Sequence, residues 1–110
     1  MSLNVLVVDD SSVMRKMIIR TLNLSGVSVG EIYEAEDGRK GLDVLHENWV
    51  DMLFIDVNMP VMDGMEMLKE VRSRPDTRDM PILIISTESN PQRIEEISRN
   101  EAGFVHKPFT

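Results

Sequence analysis

Apolar and polar positions along this chain change period repeatedly, and each change marks an element. Leu3 to Val8 is a short apolar run rich in Val and Leu. Asp9, Asp10, Ser11 and Ser12 follow at once with capping oxygens, which predicts a buried strand and then a helix start. From Val13 to Leu24, Met14, Met17, Ile18 and Leu22 fall on one helical face, and Ser25-Gly26 ends the pattern. Glu31 to Ala35 predicts a second, shorter strand; Asp37-Gly38 turns the chain, and Leu42, Leu45 and Trp49 line the helix after it. Met52 to Ile55 is wholly apolar and ends in Asp56, the pattern of a central parallel strand covered on both faces. Pro60 and Gly64 punctuate a loop before a helix carrying Met65, Leu68 and Val71, and Pro81 introduces a strand over Ile82 to Ile85. A helix from Pro91 to Arg99 and a last short strand, Phe104-Val105-His106, complete the pattern before Lys107-Pro108.

Five strands separated by helical stretches predict a parallel sheet with right-handed crossovers and helices on both faces, a doubly wound α/β domain. Ligands bind such sheets outside the carboxyl ends of the strands, near the point where strand order reverses. That places the residues just after each strand under scrutiny.

Composition narrows the function. At 110 residues one core is expected, and 42% hydrophobic residues suffice for it. A net charge of -7, with eight arginines and four lysines scattered among 19 carboxylates, makes nucleic acid a poor direct partner and favours cations and basic protein surfaces. The absence of cysteine removes disulfides, thiol nucleophiles and Cys zinc sites. There is no signal-peptide pattern and no apolar stretch near the ~20 residues that span a bilayer, so a cytoplasmic protein without membrane contact is expected.

Asp9 and Asp10 end the first strand, Asp56 the third, Ser86-Thr87 the fourth and Lys107 the fifth, so the fold gathers them at one rim. Carboxylates packed together repel, and a hard divalent cation relieves the repulsion; Mg2+ favours few carboxylates, several waters and phosphate oxygens, with Mn2+ as a substitute. A carboxylate is also a nucleophile toward phosphorus. Metal and Lys107 would then neutralise a phosphoryl group in transfer, while Ser86 or Thr87 donates a hydrogen bond. Taken singly, each piece has a plainer reading: Asp-Asp-Ser-Ser as helix capping, Asp56 as an Asx turn, Ser86 and Thr87 as ordinary strand ends. Their shared rim carries the argument.

These residues resemble the response regulator receiver family of two-component systems, and within it the CheY-like chemotaxis branch. The resemblance rests on Val7-Val8-Asp9-Asp10-Ser11, Asp37-Gly38, Asp56-Val57-Asn58-Met59-Pro60, Met62-Asp63-Gly64 and Lys107-Pro108-Phe109, in the family's order and approximate spacing. It implies the flavodoxin-like strand order 2-1-3-4-5. It implies Asp56 as phosphoacceptor, and Mg2+ held by Asp10, Asp56 and the Asn58 backbone carbonyl, with Asp9 acting through water. It further implies Lys107 on the phosphoryl group and Ser86 and Phe104 as the switch pair, with Asn58, Thr87 and Glu88 tuning the phosphoryl lifetime. The implied partners are a histidine kinase or phosphotransfer protein and a downstream protein target.

Members of the family continue into a fifth helix, whereas this chain stops at Thr110. The expectation is therefore a single receiver domain over residues 1–110, C-terminally truncated, whose uncovered face drives self-association. A signalling switch that catalyses its own phosphorylation and dephosphorylation is expected, rather than an enzyme acting on a separate substrate. Two alternatives stand beside it. A metal-dependent phosphohydrolase with an aspartyl nucleophile would need a second Asp where Asn58 stands. A pseudo-receiver that binds partners without phosphorylation would not need the intact acidic site. The cluster of Met59, Met62, Met65 and Met67 reads as core filling, and His46 and His106 as solvated.

Overall fold

The structure, a computed structural model, describes residues 2–87 and 89–106. Nine elements alternate along these residues: β1 (Leu3–Val8), α1 (Ser12–Leu24), β2 (Val29–Ala35), α2 (Gly38–Glu47), β3 (Met52–Ile55), α3 (Gly64–Ser73), β4 (Ile82–Ser86), α4 (Pro91–Arg99) and β5 (Gly103–His106). The strands form one parallel sheet in the order β2-β1-β3-β4-β5, the flavodoxin-like doubly wound arrangement.

Each helix starts where a side-chain oxygen meets orphan backbone N–H groups. Ser11 Oγ accepts from the Met14 N–H at 3.2 Å, and Asp37 accepts from the Lys40 N–H at 2.8 Å. Asp63 and Glu66 form a reciprocal capping box on α3, and Asn90 caps α4 with Pro91 directly after it. At the far end of α1, Gly26 takes φ 85°, the left-handed conformation that glycine adopts without steric cost.

Two apolar clusters sandwich the sheet. One face, covered by α2, α3 and α4, buries Leu6, Val8, Leu53, Ile55, Ile82 and Ile84 of the strands against Leu42, Met65, Met67, Leu68, Val71 and Ile97 of the helices. The other, beneath α1, buries Val5, Val7, Phe54 and Ile85 with Ile18. Met65 and Met67 are buried and Met59 and Met62 pack against the larger cluster, so all four fill core space.

Two expectations need correction. β2 is not the shorter strand: at seven residues, Val29–Ala35, it is the longest. It lies at the sheet edge with Gly30, Glu31 and Glu34 exposed, so it extends beyond its apolar stretch. Trp49 does not line α2. The helix ends at Glu47, Asn48 turns the backbone to φ -136° and ψ 151°, and Trp49 emerges 77% exposed while Val50 takes the buried place.

Candidate functional site

Strand register builds the site. Val8 of β1 pairs with Ile55 of β3, so Asp9 and Asp56 leave adjacent strands side by side. The backbone holds them there: the Asp56 N–H donates to the Val8 carbonyl at 2.9 Å, and the Asp9 N–H to the Ala35 carbonyl at 3.0 Å. Carboxylate oxygens of Asp9, Asp10 and Asp56 all lie within 4.8 Å of one another. Asp9 and Asp56 are 1% and 6% exposed, whereas Asp10 is open to solvent.

The plainer reading of the first loop as capping divides between residues. Ser11 supplies the cap of α1, while the Asp9 carboxylate accepts from the Ser11 N–H at 2.9 Å. Asp10 lines a concavity of about 610 Å³ shared with Glu36, Lys40, Pro60 and Val61. Hydrogen bonding to Glu36 draws the Lys40 ammonium to that acidic rim and raises its pKa. The donors of the Asp9, Asp10 and Asp56 cluster are all hard oxygens, with no nitrogen or sulfur among them, and this chemistry suits a small divalent cation such as Mg2+.

The remaining expected site residues lie around this cluster. Ser86 ends β4, fully buried, and pairs with His106 of β5. Thr87 is exposed just beyond it, and Asn58 is exposed two residues after Asp56. Phe104 is half-buried, pairs with Ile84, and meets His106 edge-on at a ring-centroid distance of 6.3 Å. Lys107 and Glu88 lie outside the described residues.

Two supports of the site were not anticipated. The Arg15 Nη1 donates to the Asp9 carbonyl at 2.6 Å and its Nε to Glu34 Oε1 at 2.9 Å, pinning the β1–α1 turn from behind. Helical side chains lean toward the helix N-terminus, so a base in the first turn of α1 could have been expected to reach back to the strand end. Gly64 is the second. A Cβ there would lie 2.1 Å from the Asp56 carbonyl oxygen, so the start of α3 touches the backbone of the site. The Gly64 N–H donates to the Val57 carbonyl at 2.8 Å, which locks that approach.

Comparison with known proteins agrees with this geometry. The family model for the response regulator receiver domain matches residues 5–110. A chemotaxis protein CheY homolog of Campylobacter jejuni is 41% identical, the match covering 98% of this chain and 83% of that protein. The chemotaxis protein CheY of Pseudomonas aeruginosa is 37% identical over 98% of this chain and 86% of its own length. Among solved structures, CheY4 of Vibrio cholerae superposes with a TM-score of 0.86 at 38% identity, covering 100% of this chain and 90% of that one. With its sheet order, its acidic rim and these relatives in agreement, the chain belongs to the response regulator receiver domain family and is a CheY-like module of two-component phosphorelay signalling.

Proposed function

We propose that this receiver accepts a phosphoryl group from a histidine kinase or phosphotransfer protein on Asp56, in a reaction that needs Mg2+ or Mn2+. The convergence of the Asp9, Asp10 and Asp56 carboxylates within 4.8 Å at the carboxyl rim of the sheet supports this most. A carboxylate oxygen of Asp56 attacks the phosphorus of a phosphohistidine; the P–O bond forms as the P–N bond breaks, and the histidine nitrogen leaves with the electron pair. Asp10, Asp56 and the Asn58 carbonyl would hold the metal, with Asp9 acting through water. Bound there, it would neutralise charge on the phosphoryl oxygens. Arg15 keeps the Asp9 backbone in place, and the start of α3 at Gly64 braces the Asp56 backbone. Lys107 would offset the remaining phosphoryl charge.

Ser86, at the end of β4, would donate its hydroxyl to the phosphoryl group, and Phe104, two pairs back along the β4–β5 ladder, would follow its movement. Asn58, Thr87 and Glu88 would set how long the acyl phosphate lasts. We read residues 1–110 as one receiver unit in the cytoplasm whose output is contact with another protein, in chemotaxis as in the named relatives. Among the described residues no helix is long and apolar enough to cross a membrane. Self-association would use the face beside α1, where Ile18, Leu22, Phe54, Leu83, Ile85 and Val105 border an apolar cavity of about 200 Å³. Light scattering over a concentration series checks it; a constant monomer mass refutes it.

The experiment that tests the central reading is intact mass after incubation with acetyl phosphate and Mg2+. A single phosphoryl adduct is expected, absent without metal and absent in Asp56→Asn. An adduct that persists in Asp56→Asn would move the acceptor elsewhere and end the assignment.

A further inference from the structure

The opposite end of the sheet carries a second constellation, outside the phosphoacceptor reading. Trp49, Asp51, Pro75, Asp76, Asp79 and Met80, in the segments that lead into β3 and β4, line a groove of about 230 Å³. Trp49 is 77% exposed, yet it is not loose. Its indole Nε1–H donates to Asp51 Oδ1 at 2.9 Å, Asp51 Oδ2 accepts the Asn4 N–H at 2.8 Å, and Asn4 Nδ2 donates to the Trp49 carbonyl at 3.2 Å. The Asp51 N–H closes the circuit on the Asn4 carbonyl at 2.7 Å. The backbone N–H of Asn4, with the indole N–H second, holds the Asp51 carboxyl below its ordinary pKa, so it stays charged.

An aromatic ring fixed in orientation but left in water has already lost the freedom that binding would cost, while its apolar face remains to be covered. Its surroundings select the cover. Asp51, Asp76 and Asp79 are the charged residues lining the groove, and no lysine or arginine is among them. Arg78 stands at the rim with its Nε 4.0 Å from Asp79 Oδ2, at the outer limit of an ion pair. An indole is the best aromatic partner for a cation, and carboxylates beside it add charge complementarity.

We propose that this groove is a docking surface for a basic segment of a partner protein, which lays an arginine over the Trp49 indole with its charge toward Asp76 and Asp79. Because the strands are parallel, the groove lies at the end of the sheet opposite the acidic rim, so such a partner can stay bound throughout phosphoryl transfer.

Trp49 is the chain's one tryptophan, so its indole signal is unique. Isotope-labelled protein, in salt of about 0.15 M to screen long-range attraction, is titrated with hexaarginine, hexalysine and hexaglutamate and followed by amide and indole magnetic resonance. Hexaarginine is expected to displace the indole signal saturably, with amide shifts confined to residues 49–51 and 75–81, and hexaglutamate to do nothing. Trp49→Ala should weaken hexaarginine binding roughly tenfold, and Asp76→Asn with Asp79→Asn roughly threefold. Trp49→Phe, which keeps a ring, should fall between wild type and Trp49→Ala. Shifts centred on Asp9, Asp10 and Asp56, shifts spread over the whole acidic surface, or an affinity unchanged in Trp49→Ala would each overturn the proposal. An indole shift on changing protein concentration alone would assign the groove to a second copy of this chain and also overturn it. The outcome is independent of Asp56 chemistry, because no residue of the acidic rim is altered.

Discussion

The two faces of the sheet are built to different depths. Among the described residues, fifteen buried side chains join the cluster beneath α2, α3 and α4, and five join the cluster beneath α1. The strand residues of the first face are locked under three helices, whereas Leu83, Phe54 and Val105 on the second border an apolar cavity of about 200 Å³ beside α1. Stability is therefore concentrated on one side. The deep face also carries the site, since α3 begins against the Asp56 carbonyl at Gly64. The shallow face holds the site more lightly, through Arg15 on the Asp9 carbonyl.

The sharpest test of this contrast is Leu68→Ala on the deep face. Leu68 is fully buried, and its truncation should cost about 4 kcal/mol in urea unfolding, from lost transfer energy and the cavity left behind. Gly64→Ala comes next. A new Cβ 2.1 Å from the Asp56 carbonyl oxygen forces α3 away from the strand, so a loss of about 3 kcal/mol is expected, with at least tenfold slower adduct formation from acetyl phosphate. Full stability with unchanged kinetics would mean that α3 does not brace the site.

Arg72 tests how the deep face is tied at its lower edge. Its guanidinium donates to the carbonyls of Asn100 at 2.8 Å, Arg78 at 2.9 Å, Met80 at 2.7 Å and Glu101 at 3.1 Å, joining α3 to the segment that leads into β4 and to the turn between α4 and β5. Arg72→Met keeps the stem and removes the donors, and should cost about 2 kcal/mol in the same unfolding assay. Leu22→Ala on the shallow face should cost only about 1 kcal/mol, because its side chain is half-buried beside the cavity. A cost equal to that of Leu68→Ala would erase the distinction between the faces.

The smallest effect is electrostatic. Glu96 of α4 receives Lys69 of α3 at 2.8 Å, and that hydrogen bond, ahead of the burial that opposes it, lowers the Glu96 pKa. A depressed carboxylate pKa adds stability that is present above the unfolded-state value and is lost as pH falls through the folded one. Thermal melts should show Glu96→Gln losing slightly less stability than wild type as pH drops through the ordinary carboxylate range. The pair is partly exposed, so added salt should shrink the difference.

Much of this molecule was legible in its sequence because local chemistry and global fold agree. The apolar runs at Leu3–Val8 and Met52–Ile55 are strands because only a covered parallel strand tolerates side chains that are apolar on both faces. The helices begin at Ser11, Asp37, Asp63 and Asn90 because those side chains satisfy the first backbone N–H groups. Once the alternation requires a parallel sheet, Asp9, Asp10 and Asp56 must share a rim.

Features without a local pattern were decided by the tertiary structure. β2 runs longer than its apolar stretch because an edge strand is held by its ladder to β1 rather than by burial. Trp49 stands in water because α2 ends at Glu47 and the extended backbone at Asn48 gives the buried position to Val50. Arg15 reaches the Asp9 carbonyl, and Gly64 the Asp56 carbonyl, only once strands distant in sequence lie side by side. Periodicity reports which face a residue prefers; which backbone atom it meets is set by packing, and packing depends on the whole chain at once.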